Sequence, residues 1–130
     1  MRKLALIVIL LSIVTLLLAA CGSKTKDPAA QAVEDYLNAL VNKDSNRLSA
    51  LSCADWESNA LLELDSLQAV ETRLEGLSCA TTGTDGATSD VACQGQIVAT
   101  YNGEDQHLDL SLRTYQVIQQ GGDYLVCGYK

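Results

Sequence analysis

The architecture turns on residues 91–112, VACQGQIVATYNGEDQHLDLSL. Asn102-Gly103 separates two alternating runs, and this dipeptide is the strongest short hairpin signal because both residues accept positive φ. Before it, 91–101 carries the β-branched residues Val91, Ile97 and Val98. After it, Leu108, Leu110 and Leu112 alternate with Asp109, Ser111 and Arg113. A period of two predicts strands over 91–101 and 105–118. Setting Tyr101 opposite Glu104 puts Ile97 opposite Leu108 and Cys93 opposite Leu112 on a buried face.

Working outward, Gly121-Gly122 predicts a second hairpin, with a last strand over 124–129. Its register places Ile118 opposite Leu125 and Gln116 opposite Cys127. On the other side a short strand over 77–81 and a polar loop over 82–90 complete a four-stranded antiparallel meander. The loop holds Asp85 and Asp90 but lacks the acid spacing of a calcium loop, so a hairpin tip is expected. In this register His107 and Asp109 face outward, as do Arg113, Tyr115 and Val117.

Before Gly76 the period is helical. Asp27-Pro28 is a start signal, the carboxylate capping free N–H groups and the proline fitting the first turn. Val33, Tyr36, Leu37, Leu40 and Val41 follow on one face, predicting helix 1 over 28–42 with Glu34 and Asp35 in solvent. Asp44 caps a short helix over 45–53, with Leu48 and Leu51 inward. Ser52-Cys53-Ala54-Asp55 reads as a capping box. The third helix is expected over 55–75, with Trp56, Ala60, Leu64, Leu67, Val70 and Leu74 on its apolar face, ending at Gly76.

The chain has 130 residues, room for one domain. Its 9 basic and 16 acidic residues give a formal charge of −7. That balance excludes a nucleic-acid partner, which needs a basic face. One histidine leaves little for a histidine metal site or a nucleophile–His triad. No glycine-rich phosphate loop is present. No metal and no cofactor are expected.

Residues 1–20 have the three parts of an export signal. Arg2 and Lys3 precede an apolar run over 4–18, broken by Ser12 and Thr15. The run is shorter than the roughly 20 residues of a spanning helix. Leu18-Ala19-Ala20-Cys21 resembles a bacterial lipobox. The resemblance implies cleavage before Cys21, a diacylglycerol on its thiol, and membrane anchoring through acyl chains. Residues 21–27 then form the lipidated cysteine and a tether, and 28–130 form the domain. A chain starting at Cys21 keeps 7 basic and 16 acidic residues, a charge of −9. Such a chain should stand off an anionic surface. Gly22 in place of Asp implies sorting to the outer membrane in a cell with two membranes. With one membrane, the domain faces outward from it.

Export sets an oxidising context, in which cysteines pair. Cys53, Cys79, Cys93 and Cys127 remain. None forms a C-x-x-C motif, and their wide spacing disfavours zinc. Cys93 and Cys127 share a face two strands apart, beyond disulfide reach. Cys79 can sit across from Cys93, and Cys127 points toward the helix layer where Cys53 ends helix 2. The preferred pairs are Cys79–Cys93 and Cys53–Cys127.

Three helices followed by a curved four-stranded sheet make an α+β fold. Ala32-Val33-Glu34-Asp35-Tyr36-Leu37-Asn38-Ala39-Leu40, then Asp44, then Tyr124-Leu125-Val126-Cys127-Gly128-Tyr129, resemble the nuclear transport factor 2-like superfamily, which includes ketosteroid isomerase and SnoaL-type proteins. The resemblance spans 27–130. It implies a pocket between sheet and helices, for which Tyr36, Leu40, Trp56, Ile97, Leu108, Leu110, Leu112 and Tyr129 are the inward candidates, or else the core. It also implies a homodimer contact through the sheet.

An isomerase-type enzyme would need a carboxylate base on the inner face. Thr81, Gln106, Thr114 and Gln116, the inner polar residues, are not bases, and Asp90 and Asp105 fall in turns. No catalytic residue is assigned. The expected role is that of a membrane-anchored, non-catalytic binding or accessory domain. The alternative is an envelope assembly protein acting through Arg113, Tyr115, Val117 and His107.

Overall fold

A computed structural model describes residues 26–130. The export signal, Cys21 and most of the tether lie outside the described residues. Three helices, α1 (Pro28–Val41), α2 (Ser45–Ala50) and α3 (Ala54–Ser66), precede five strands. These are β1 (Glu71–Asp85), β2 (Thr88–Tyr101), β3 (Glu104–Asp109), β4 (Thr114–Gln120) and β5 (Asp123–Tyr129). The sheet is open and antiparallel, in the order β1-β2-β4-β5, with β3 also paired to β2. The class is α+β. Among the described residues no helix is long and apolar enough to cross a membrane.

α1 lies across the sheet and supplies much of the core. Asp27 caps it by accepting from the Ala29 amide at 3.2 Å. Val33, Tyr36, Leu37 and Leu40 are fully buried. Glu34, expected in solvent, is buried too. It accepts from the Cys79 amide at 2.9 Å and pairs with Lys26. β1 is an edge of the sheet, and the carboxylate supplies a partner to an amide on it. Asp44 caps α2, accepting from the Arg47 amide. The expected capping box is absent: Cys53 occupies the α3 cap position without a side-chain bond, and the Ser52 hydroxyl donates to the Leu48 carbonyl.

α3 ends at Ser66, nine residues short of expectation. Residues 71–75, read as its last turns, begin β1. Leu67, Val70 and Leu74 fit a helical stripe, but Thr72 and Leu74 also fit a strand, and pairing with β2 wins. Lys43 fixes the intervening turn by donating to the Val70 carbonyl at 2.6 Å. β1 is correspondingly long. The expected polar loop over 82–90 is mostly strand, closed by a two-residue turn at Gly86-Ala87.

The Asn102-Gly103 hairpin has the expected register from Tyr101↔Glu104 to Gln96↔Asp109, including Ile97↔Leu108. Beyond Asp109 it fails. Leu110–Leu112 form a 3-10 turn, capped by Asp109, that divides the expected long strand into β3 and β4. Leu112 is therefore not opposite Cys93. The turn also reverses the facing of β4. Tyr115 and Val117, expected on the outer face, are fully buried, and Arg113 is mostly covered. The outer-face docking patch built from them is corrected accordingly; His107 alone of that set is exposed. The second hairpin keeps Ile118↔Leu125, then a bulge shifts β4 so that Tyr115 meets Tyr129.

Candidate functional site

Where α1, α3, β4 and β5 converge, six polar and aromatic side chains meet. α1 contributes Tyr36, α3 contributes Trp56 and Glu63, the end of the 3-10 turn contributes Arg113, and β4 and β5 contribute Tyr115 and Tyr129. Trp56 and Glu63 lie two helical turns apart and so share a face. Gly128 makes room for the indole: a Cβ there would lie 3.3 Å from Trp56 Cε3.

Trp56 Nε1 donates to Tyr36 Oη at 3.1 Å. The Trp56 and Tyr129 rings pack edge-on at 5.5 Å, and Tyr115 and Tyr129 at 5.6 Å. Tyr36 completes the chain, 6.5 Å from Tyr115. The Arg113 guanidinium lies 4.1 Å over the Tyr129 ring and donates to Glu63 Oε1 at 2.7 Å. Both ion-pair partners are about four-fifths covered, 22% and 18% exposed. The aromatic face and the carboxylate together hold the cation in a partly dry setting.

Two buried atoms of the cluster lack a protein partner: Glu63 Oε2 and Tyr115 Oη. One is an acceptor and the other a donor, and orphaned groups of this kind are costly. Burial pushes the Tyr115 hydroxyl up to about 12, against the opposing pull of Arg113. Burial raises Tyr36 as well, outweighing its bond from Trp56. Both phenols stay protonated at neutral pH and offer hydrogen bonds, not proton abstraction.

A pKa higher in the folded state means that stability is full below the unfolded value near 10 and is lost as pH climbs toward 12. For Tyr115 the loss is about 2 to 3 kcal/mol. Tyr115→Phe is expected to flatten the fall in stability across that window, measured by urea unfolding at pH 9 and 11.5. At pH 7 it should cost little, because it removes a donor that bonds no protein group.

Of the eight pocket candidates, the structure brings together Tyr36, Trp56 and Tyr129. Leu40, Ile97 and Leu110 are buried in the apolar core. Leu108 and Leu112 are corrected: they are 36% and 80% exposed, the first on a strand that no helix covers and the second on the 3-10 turn. Grooves of about 300 to 430 Å³ elsewhere on the domain use other residues, such as Ala32, Leu51 and Tyr124 in one and Asp90 and Lys130 in another. Glu63 is not among the residues the sequence singles out for a site, and Arg113 and Tyr115, expected on the outer face, stand in this cluster instead. The i, i+7 spacing of Trp56 and Glu63 was the available signal for Glu63.

Two cysteine pairs stand at bonding distance, one of them beside the site. Cys79–Cys93 is a cross-strand pair with Cα atoms 4.1 Å apart. Cys53–Cys127 joins the start of α3 to β5 at 5.2 Å. Beside it the Cys53 amide donates to the Val126 carbonyl, and the Val126 amide to the Leu51 carbonyl. Among the described residues no cluster of His, Cys, Asp and Glu is arranged to hold a metal.

No protein-family model matches the chain, and no curated protein matches it in sequence. Solved structures resemble it in fold, among them the following two. Aln2 from a Streptomyces species superposes with a TM-score of 0.55 at 11% identity, covering 78% of this chain and 85% of that one. RPA3114, a SEC-C motif containing protein from Rhodopseudomonas palustris, superposes with a TM-score of 0.53 at 13% identity, covering 83% of each chain. At these identities the likeness is one of fold: a small α+β domain with an antiparallel sheet.

Proposed function

We propose that this protein is an extracytoplasmic lipoprotein, anchored through Cys21, whose domain is a nuclear transport factor 2-like binding or accessory module without catalysis. The observation that carries the reading is Leu18-Ala19-Ala20-Cys21 at the end of the apolar run. Two cysteine pairs at bonding distance in the domain behind it support an oxidising compartment. The layered α+β architecture supports the superfamily assignment. The polar cluster supports binding over turnover. Its one carboxylate is committed to Arg113, and its phenols hold their protons.

The test is metabolic labelling with radioactive palmitate in the native host. The protein should take up label, and Cys21→Ser should take up none. The intact mass should match a chain starting at Cys21 plus its acyl groups. An unlabelled wild-type protein would overturn the anchoring. Binding is tested separately by native mass spectrometry of the purified protein, where adduct mass that leaves on denaturation would support it.

A further inference from the structure

We infer that β3 is a docking edge for an extended, basic segment of another protein, which adds to the sheet as a further strand. The inference deepens the binding-module reading and rests on it, but not on the lipid anchor.

Three observations converge on this strand. First, β3 pairs with β2 alone, and beyond isolated contacts it touches no other element. All six of its residues are exposed. The Asn102-Gly103 turn has two positive φ values, 52° and 81°, so Tyr101–Glu104 is a hydrogen-bonded pair. Alternation then directs the N–H and C=O of Asp105 and His107 away from β2. Elsewhere the edges are covered: on the same side of the sheet β5 bonds to the segment before α3 through Val126, and on the opposite edge β1 packs against α1, where Glu34 takes the Cys79 amide. An uncovered edge is a template for strand addition.

Second, the large apolar residues exposed among the described residues are Leu62, Tyr101, Leu108 and Leu112. All but Leu62 lie on β3 or beside it. Leu108 shares a face with Ile97 and Leu74, so a side chain on an added strand could extend that row.

Third, the edge is acidic. Glu104, Asp105 and Asp109 are three of its six residues, and only Asp105 is in an ion pair, with Arg73. A second copy is disfavoured on this ground: antiparallel self-pairing centred on His107 would put Asp105 opposite Asp109, like charges that repel. A strand alternating Lys or Arg with Val or Leu would meet Asp105 and Asp109 on one face and Leu108 on the other. The edge also lies far from the start of α1. The start of α1 sits by Thr81, through Asp27, and its end by Thr72, whose row across the sheet includes Gln106. The helix between them is about 21 Å long.

The experiment uses full-length lipidated protein in detergent micelles and two synthetic heptapeptides, one alternating Lys with Val and the other Glu with Val. Amide hydrogen exchange is read residue by residue. The Lys–Val peptide is expected to slow exchange at Asp105 and His107 at least tenfold, while the Glu–Val peptide does not. His107→Pro removes an outward N–H and should abolish the protection at Asp105. Should that variant fail to fold, the double variant Glu104→Lys with Asp109→Lys should reverse the preference between peptides. Equal protection by both peptides, or none, would overturn the proposal. So would peptide-free protection that grows with protein concentration or appears on adding phosphatidylglycerol vesicles. Palmitate labelling is unaffected by any of these outcomes, so anchoring and docking can fail independently.

Discussion

Replacing Cys53 and Cys127 together by Ala is expected to lower the unfolding free energy by about 4 kcal/mol. The pair is separated by 74 residues, and the chain entropy withheld from the unfolded state grows with the logarithm of that loop. Cys79–Cys93 closes 14 residues, so the same replacement there should cost about 3 kcal/mol. The order is as informative as the size. Cys53–Cys127 spans α3 and most of the sheet, and it fixes the end of β5 against the start of α3, where Trp56 enters the polar cluster. Its loss should lower the urea midpoint and quench or shift Trp56 fluorescence before global unfolding. The Cys79–Cys93 variant should unfold in one step with Trp56 undisturbed, because the β1–β2 ladder still holds that hairpin. Urea titrations under non-reducing conditions, followed by fluorescence and circular dichroism, check both. Equal costs for the two pairs would mean that the bridges act through local packing and not through loop closure.

The cysteine pairing was legible because it needed only a hairpin register and a helix end. Asn102-Gly103 and Gly121-Gly122 are turn signals with a steric cause, and both turns stand where expected. Helix 1 was legible from its cap and its stripe. The buried Glu34 was not, since its partner, the Cys79 amide, lies on an edge strand 45 residues away. The boundary between α3 and β1 was hidden by coincidence: Leu67, Val70 and Leu74 satisfy a period of 3.6, while 71–75 also satisfies a period of two. The costliest miss was the 3-10 turn at Leu110–Leu112. Leucines there alternate as in a strand, yet an inserted turn reverses every facing after it. That reversal carried Tyr115 and Arg113 from the supposed outer face into the polar cluster, and brought Leu112 out of the supposed pocket.

Gly95→Ala is expected to destabilise the domain by about 3 kcal/mol, the sum of an overpacking cost and a backbone cost. Gly95 sits in β2 at φ +98°, a region L-residues avoid, and faces the bulge between Glu75 and Ser78. A Cβ at this position would lie 2.5 Å from the Glu75 carbonyl oxygen and 2.6 Å from the Gly76 carbonyl carbon and oxygen. These are backbone atoms within a sheet and cannot swing aside as a side-chain tip can. Gly76, across the bulge, is also at positive φ, +64°, but a Cβ there would meet only ordinary contact at 3.8 Å. Gly76→Ala should therefore cost about 1 kcal/mol, the backbone term alone. The pair of glycines lets β1 and β2 change register between the half that carries Cys79–Cys93 and the half that carries β3. Thermal and urea unfolding of the two variants, side by side, separate steric approach from backbone conformation. If Gly95→Ala matched Gly76→Ala, the close approach of the two strands would not be what holds the sheet bent at this point.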